Sequence, residues 1–266
     1  MKHILKEIKD KSPLIHAITN PISINMCANI ALALGARPIM AEHPEEVFDI
    51  TAQSRGLLLN LGNITDVRMK SMRISAESAN IHSIPIVLDL VGVACSVLRK
   101  SYAKSLLDNY NIQVIKGNYS EIYSLFCDFY SCDGVDADKD LNVDKVITAS
   151  EFLAKKYNLI VIATGATDIV AGSEKIHLIY NGTDRLCEIT GSGCLLGMIV
   201  TCCVSVCMEI SAVTLACAIL GICGELSVSE KGNGSFYTEL WDMISIIDYE
   251  TINKHIKSEE RLYEEI

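Results

Sequence analysis

A short stretch with two glycines opens a long apolar run in the last third of the chain. It covers Glu188–Cys194, with Gly191 and Gly193 inside it, and helix-forming apolar residues follow from Leu195 to Met208. Glycines let a ligand approach the main chain closely, and the first N–H groups of a helix have no partner within the helix. The stretch therefore predicts an anion site of the kind that holds phosphate. An ordinary helix start with two turn glycines fits the same residues.

Cys194 closes this stretch at the predicted helix N-terminus. A thiol in that position is expected to have a lowered pKa, so Cys194 is a candidate base or nucleophile. Because the chain has 11 cysteines, an ordinary small buried residue is the alternative.

Asp89, Lys116 and Glu121 are the charged residues best placed for chemistry with phosphates. Asp89 and Lys116 end predicted strands, and Glu121 lies in the first turn of the next helix. Carboxylates and water hold the Mg²⁺ that accompanies nucleotide phosphates, so Asp89 and Glu121 are candidate metal ligands. Lys116 could neutralise phosphate as a point charge. Each residue also has an alternative role without chemistry: a helix cap or turn for Asp89, a residue of the first helical turn for Glu121 and a solvated surface lysine for Lys116.

Alternating strands and helices must position these residues. Apolar runs predict strands at Leu14–Ile18, Arg37–Met40, Leu57–Leu61, Pro85–Asp89, Ile112–Lys116 and Leu159–Ala163. Helices are predicted over residues 1–11, 23–34, 66–80, 94–110, 119–129 and 142–157, with another that Pro44 initiates. The alternation is typical of a single α/β domain, residues 1–266, in which helices cover both faces of a mostly parallel sheet.

Past Gly165 the alternation stops. Residues 168–172 and 175–179 predict a hairpin around Ser173–Glu174, and Asn181–Gly182 turns again before Leu186–Ile189. The C-terminal part of the sheet is therefore predicted to be antiparallel. Two core helices follow from Cys194, and residues 235–247 and the segment from Tyr249 to the acidic end are predicted to be helical.

The residues after the predicted strands are polar or glycine in nearly every case. They are Thr19–Asn20, Met40–Glu42, Asn60–Gly62, Asp89, Lys116–Asn118 and Thr164–Gly165. Because ligands of open parallel sheets bind where the strands end, these residues are expected to meet at one edge with the stretch 188–194. Asn25 and Asn29 share a helix face near Asn20 because they are four residues apart. Capping or solvent contact is their alternative role.

Composition and missing motifs exclude several classes of protein. A net charge of −10 with scattered Lys and Arg argues against nucleic acid as a partner. The P-loop pattern is missing, as are a G-x-G-x-x-G after a strand and the G-x-S-x-G of acyl-transfer enzymes. The spacing of cysteines and histidines does not match a zinc site.

The chain is expected to be cytoplasmic, without membrane contact. Its N-terminus lacks an apolar signal region, and buried reduced thiols are typical of a cytosol. Glu209 divides the apolar run from Cys194 to Gly224 into two segments of 15 residues each. Because spanning a bilayer takes about 20 residues, two helices buried in a soluble core are predicted.

As a set, the residues resemble the hydroxyethylthiazole kinases, a family of thiamine-salvage enzymes. The resemblance rests on segments that occur in a common order: 15–20, Asn25 with 28–29, 35–41, 60–62, 87–89, 116–122, 134–136, 163–165, 181–182, 189–194 and 234–236. Each segment alone is a weak signal, but their order from Leu14 to about Asp242 is specific.

The resemblance implies a ribokinase-like three-layer fold. It also implies that ATP and Mg²⁺ are used to phosphorylate the primary alcohol of 4-methyl-5-(2-hydroxyethyl)thiazole, in a homotrimer with sites at subunit interfaces. The positions that match family site residues are Met40 and Gly191 for thiazole, Lys116 and Thr164 for ATP, and Asp89 and Glu121 for Mg²⁺ and phosphate. Asn20 and Asn25 are assigned to the thiazole side. Cys194 stands where related sugar kinases carry the aspartate that deprotonates the acceptor hydroxyl.

Two departures from the family pattern bear on efficiency. Leu90 replaces the proline of the usual Asp-Pro-Val-Gly, which frees φ at that position and predicts looser placement of Asp89. Ala166 replaces the acidic residue that usually follows Thr-Gly.

Two other functions stay open. One is another ribokinase-like kinase for a small alcohol, such as hydroxymethylpyrimidine kinase; Met40 and the region of Asn20 and Asn25 favour thiazole by resemblance. The other is a degenerate relative that binds a ligand without turnover, which Leu90 and Ala166 would allow.

Overall fold

The computed structural model describes residues 1–127, 141–228 and 231–263. Within them, nine strands form one sheet: β1 Leu14–Ile18, β2 Arg37–Ile39, β3 Gly56–Asn60, β4 Ile86–Asp89, β5 Val114–Asn118, β6 Ile160–Thr164, β7 Asp168–Ala171, β8 Lys175–Ile179 and β9 Ser258–Leu262. Their order is β2-β1-β3-β4-β5-β6-β7-β8-β9. The resemblance segment Gly134–Asp136 and the predicted end of the helix 119–129 lie outside the described residues.

The sheet changes direction at β6. Strands β1 to β6 pair with their neighbours in parallel, whereas β7, β8 and β9 pair antiparallel. The prediction of a mostly parallel sheet with an antiparallel C-terminal part is confirmed. The carboxyl ends of β1, β3, β4, β5 and β6 therefore lie at the same edge, which we call the carboxyl edge.

Helices cover both faces of the sheet. They are α1 Lys2–Lys11, α2 Ile24–Leu34, α3 Val47–Ala52, α4 Asp66–Ile81, α5 Val97–Asn109, α6 Tyr119–Phe126, α7 Val143–Tyr157, α8 Ser192–Val204, α9 Ile210–Leu226, α10 Asn233–Ile246 and α11 Tyr249–His255. Helices α1, α2 and α8–α11 share one core cluster, and α3–α7 share the other. Alternate side chains of a strand point to opposite faces, so Leu58 joins the first cluster while Leu57 and Leu59 join the second. Strands buried on both sides explain the unbroken apolar runs.

Several helix starts are set by side-chain caps. Thr65 accepts a hydrogen bond from Arg68 N at the start of α4, and Ser96 accepts one from Arg99 N at the start of α5. The Ser96 cap explains why α5 begins at Val97 rather than near Ala94. Ser23 precedes α2 as predicted, but its side chain does not cap the helix.

The C-terminal end differs from the prediction. The segment from Tyr249 is helical only to His255, and Ser258–Leu262 forms β9 against β8. Cross-strand contacts explain the change: Lys175 pairs with Glu260, and the Tyr180 hydroxyl donates to Glu259. Backbone pairing with the otherwise free edge of β8 outweighs the helical preference of an acidic stretch.

The segment before Ile189 also differs, because Asp184–Glu188 forms a 3₁₀ helix instead of extending the antiparallel tail. The two predicted core helices are confirmed as α8 and α9, which are buried over nearly their whole lengths. Among the residues that the structure describes, no helix combines the length and apolar character needed to cross a membrane.

Candidate functional site

Asp89 and Lys116 form a buried ion pair at the carboxyl edge. The two residues are register partners on β4 and β5, and Lys116 Nζ lies 2.9 Å from Asp89 Oδ1. Burial raises the pKa of Asp89, with Lys116 opposing the shift. Burial by itself would lower the pKa of Lys116, but the carboxylates of Asp89 and Glu121 outweigh it and hold that pKa above its usual value. Lys116 is therefore a fixed positive charge at the sheet edge.

Asn60 and Asn20 connect this ion pair to Cys194. Asn60 Nδ2 donates to Asp89 Oδ2 at 2.7 Å and to Cys194 Sγ at 3.3 Å. Asn20 Nδ2 donates to Asn60 Oδ1 at 3.0 Å and lies 3.5 Å from Cys194 Sγ. We call these five residues the buried polar cluster, since each is less than a tenth exposed.

Cys194 does not have the lowered pKa that its helix position predicted. Burial and the nearby Asp89 carboxylate raise the pKa of the thiol, and Lys116 offsets only part of this. The expectation considered the helix N-terminus alone, whereas the sulfur lies next to a carboxylate in an apolar setting. Cys194 is a neutral thiol at neutral pH.

Glu121 holds together the turns that follow β4 and β5. Its Oε1 accepts from Gly92 N at 2.7 Å, and its Oε2 accepts from Asn118 N at 2.8 Å. Asn118 in turn accepts from Glu121 N, which completes a capping box at α6. Burial raises the pKa of Glu121 to about 7, with Lys116 opposing the shift. The carboxyl group lies close to Lys116, as the sequence predicted for a shared site.

The N-terminus of α8 faces the ion pair. Gly191 has φ of +88°, a left-handed conformation that favours glycine, and it turns the chain so that the first helical N–H groups are those of Ser192, Gly193 and Cys194. A Cβ on Gly193 would lie 3.0 Å from Lys116 Nζ. The lysine ammonium and the positive end of the helix thus approach each other across a glycine.

Thr164 lies at the end of β6 beside the cluster. It is the register partner of Asn118, and its hydroxyl donates to Gly117 O at 3.3 Å. The loop after it packs on Tyr119: a Cβ on Gly165 would lie 2.5 Å from the tyrosine ring, and the Tyr119 hydroxyl donates to Thr167 O.

Asp168, at the end of this loop, was not predicted as a site residue. Its carboxylate accepts from Gly165 N at 3.1 Å, and burial raises its pKa to about 7 against that hydrogen bond. An acidic residue close after Thr164–Gly165 was the available signal. Asp168 supplies a carboxyl group in a loop where Ala166 lacks one.

Leu90 does not loosen the placement of Asp89, as the missing proline had predicted. The Leu90 N–H donates to Lys116 O at 2.8 Å, a bond that proline could not make, and its side chain is fully buried. Leu90 thus ties Asp89 to β5, so the looser placement predicted from the missing proline is wrong.

Met40 and Asn25 lie outside the buried polar cluster. Met40 follows the edge strand β2, is partly buried and packs on the first core cluster. His16 supports this segment: its Nε2–H donates to Ala41 O at 3.0 Å. Asn25 is exposed, and its side-chain and main-chain oxygens accept from Asn29 Nδ2. Gly191 packs against α2, the helix that carries Asn25, because a Cβ there would lie 3.3 Å from Met26.

The sequence placed Asn60 at the carboxyl edge but assigned it no role in the site. It is fully buried and follows three buried leucines of β3. A buried amide at the end of an apolar strand needs several polar partners. That requirement was the signal in the sequence.

Comparison with known proteins gives consistent results. The model of the hydroxyethylthiazole kinase family matches residues 5–250. Hydroxyethylthiazole kinase 2 of Clostridium botulinum (strain Hall) is 47% identical over an alignment of 259 residues, with 96% of this chain and 98% of that protein covered. The solved structure of a hydroxyethylthiazole kinase from Pyrococcus horikoshii OT3 superposes with a TM-score of 0.90 at 30% identity, covering 98% of each chain.

A more distant structural relative shows the fold alone. The ribokinase-like superfamily protein of Enterococcus faecalis V583 has a TM-score of 0.60 at 11% identity and covers 91% of this chain and 94% of its own. The ribokinase-like fold class is confirmed.

Proposed function

The chain belongs to the hydroxyethylthiazole kinase family, and we propose that its carboxyl edge carries out that reaction. In it, the γ-phosphoryl group of ATP is transferred to the primary alcohol of 4-methyl-5-(2-hydroxyethyl)thiazole, a step of thiamine salvage. The residues proposed for ATP are Lys116 and Thr164, and those for the thiazole are Met40, Gly191, Asn20 and Asn25.

The observation that carries the proposal is the approach of two positive groups. The Lys116 ammonium lies against Gly193 at the N-terminus of α8, where the helix dipole is positive. Asp89 already pairs with the ammonium, and an anion beside α8 would be stabilised by both the ammonium and the N–H groups of the helix start. A transferring phosphoryl group has the charge that this position would accept, since phosphoryl transfer depends mainly on positioning and electrostatic stabilisation.

The residues at the edge fit Mg²⁺. Asp89 and Glu121 offer the oxygen ligands that this ion prefers, and each carboxylate oxygen has a second lone pair beside its present hydrogen bond. Among the described residues, no group of three or more His, Cys, Asp or Glu side chains could hold a metal. One or two carboxylates with phosphate oxygens and water would suit Mg²⁺. When bound, the ion would neutralise charge on the phosphates.

Cys194 has a secondary role in this proposal. Its raised pKa makes it a weak base for the acceptor hydroxyl. The backbone N–H groups of Ser192, Gly193 and Cys194 would stabilise the transferring group, and the sulfur would contact the hydroxyl. The helix start therefore contributes more to the rate than the thiol.

The proposal includes a cytoplasmic homotrimer with sites at subunit interfaces. Ile22 and Leu32, before and on α2, are 64% and 57% exposed, close in sequence to the exposed Asn25. A neighbouring subunit would cover these side chains and complete the thiazole side. The cysteines that the structure describes are all unpaired, which supports a reducing compartment. Sedimentation should give a mass three times that of the 29.1 kDa chain.

A turnover assay over a panel of alcohols tests the reaction. The purified protein is incubated with ATP and Mg²⁺ and with the thiazole alcohol, hydroxymethylpyrimidine or a simple primary alcohol, and the phosphorylated products are measured by mass spectrometry. We expect the highest kcat/KM for the thiazole alcohol. A higher kcat/KM for hydroxymethylpyrimidine would make that alcohol the substrate instead of the thiazole alcohol. Ligand binding without any product would indicate a degenerate relative that does not turn over.

A further inference from the structure

Asn60 has every hydrogen-bonding group of its amide occupied inside the site. Its Oδ1 accepts from Gly62 N at 2.9 Å and from Asn20 Nδ2 at 3.0 Å. Its Nδ2 donates to Asp89 Oδ2 at 2.7 Å and to Cys194 Sγ at 3.3 Å. Because an amide offers two donors and two acceptor positions, the side chain has one arrangement that satisfies all of them.

Main-chain donors fix the orientation of both amides. The N–H of Gly62 can only donate, so the Asn60 oxygen must face it and the nitrogen must face Asp89 and Cys194. The same holds for Asn20, whose Oδ1 accepts from Ile22 N and Ser23 N, each at 3.0 Å. Both amide nitrogens therefore point at the sulfur.

The pair of amides also requires glycine at position 62. A Cβ there would lie 2.8 Å from Asn20 Nδ2 and 2.9 Å from Asn60 Oδ1. Real Cβ atoms do not approach that closely, so a side chain would displace one of the amides. Close packing thus holds the network in addition to its hydrogen bonds.

The amide nitrogens of Asn60 and Asn20 approach the sulfur of Cys194, and the Ser23 hydroxyl is a further hydrogen-bonding partner of this thiol. We propose that Asn60 is a positioning residue of the phosphoryl-transfer site: it links the Asp89 carboxylate to Cys194 and, with Asn20, holds the thiol in place beside the start of α8, where the acceptor hydroxyl would lie. This role rests on the proposed function, which supplies the acceptor.

The isosteric change Asn60→Asp tests this role. It keeps the oxygen that faces Gly62 and Asn20 but removes the donor to Cys194, and it places a second carboxyl group against Asp89, with which it shares a proton. We expect kcat for the thiazole alcohol to fall about 100-fold, since the buried hydrogen bond to the sulfur is lost and two carboxyl groups meet beside Lys116, while the KM for the alcohol stays nearly unchanged. Asn80→Asp is the matched control, because Asn80 Nδ2 donates to Asn111 O at the C-terminal end of α4, away from the carboxyl edge. It should change neither constant.

A double-mutant cycle with Cys194→Ala separates positioning from a merely structural role. If Asn60 acts partly through the sulfur, Asn60→Asp should cost about tenfold less in the Cys194→Ala protein than in the wild type. Equal losses in both backgrounds would overturn the inference. Should Asn60→Asp fail to fold, Gly62→Ala replaces it, since the added Cβ displaces the same amides; the same coupling is expected.

Thiol labelling keeps the inference testable if the wild type does not phosphorylate the thiazole alcohol, a result that would refute the proposed function itself. Iodoacetamide modification of Cys194 is followed at one pH by peptide mass spectrometry. Asn60→Asp removes a donor to the sulfur and adds a carboxyl group without opening a cavity, so modification should slow about tenfold relative to Asn80→Asp. An unchanged rate would overturn the link between Asn60 and Cys194.

Discussion

The buried polar cluster and the thiazole side of the site are built in different ways. Every member of the cluster is hydrogen-bonded to another member, and burial isolates these bonds from water. On the thiazole side, Asn25 is exposed and, within the described part of the chain, bonds to its helix neighbour Asn29, and Met40 follows an edge strand. The groups proposed for phosphoryl transfer are therefore held within one chain, whereas Asn25 and Met40, unlike the buried Asn20, lie where the proposed neighbouring subunit would cover them. Changes in the cluster should alter kcat, and changes on the thiazole side should alter KM.

Asp89→Asn should have the largest effect. The substitution leaves the buried Lys116 charge without its partner, a loss of about 3–5 kcal/mol when it occurs inside a protein. If the transition state loses this free energy, turnover should fall about a thousandfold. Turnover is measured as thiazole phosphate formed at saturating ATP and Mg²⁺. Asp108→Asn, at an exposed position near the end of α5, is the control and should have no effect. Unchanged turnover in Asp89→Asn would remove Asp89 from the site.

Gly193→Ala tests whether an anion lies between Lys116 and α8. The new Cβ would lie 3.0 Å from Lys116 Nζ, and the ion pair with Asp89 limits how far the ammonium can move. Turnover should fall about 10- to 100-fold through lost stabilisation of the transferring group. Gly232→Ala is the control, because nothing lies within 4 Å of its added Cβ. Full activity in Gly193→Ala would mean that phosphate does not use this position.

The residues at the strand ends are the part of the site that could be predicted from the sequence. Asp89, Lys116 and Thr164 each close an apolar run, so their common edge followed from the strand pattern and the parallel topology. The raised pKa of Cys194 and the hydrogen bond of Leu90 could not be predicted, because both depend on contacts between segments that are far apart in the chain.

The C-terminal strand β9 shows a second limit. Its acidic sequence carries no strong strand signal, and its conformation is decided by pairing with the free edge of β8. Local preference is a weak guide where a tertiary partner offers backbone hydrogen bonds. The same limit applies to the thiazole side, where the partner would be another subunit.

Cys194→Ser should have a smaller effect than either change at the phosphate position. Serine keeps a group that the amides of Asn60 and Asn20 can hydrogen-bond, and the backbone N–H groups of α8 stay in place. Because general-base assistance is only part of the rate here, we expect turnover to fall about tenfold. Cys203→Ser, a buried thiol on the same helix, is the control for stability and should keep its turnover. Loss of all activity in a folded Cys194→Ser protein would instead require an essential thiolate.

Met40→Ala should have the smallest effect, and the effect should be on KM rather than on kcat. Truncation removes apolar contact without touching the ion pair or the start of α8, so the KM for the thiazole alcohol should rise about fivefold, close to 1 kcal/mol, with kcat unchanged. Met208→Ala, at a position 41% exposed before α9, is the matched control and should leave both constants as they are. A fall in kcat at constant KM would place Met40 with the buried polar cluster and remove the division between the two parts of the site. A rise in KM that grows as the protein is diluted would show in addition that the thiazole side is completed by a neighbouring subunit.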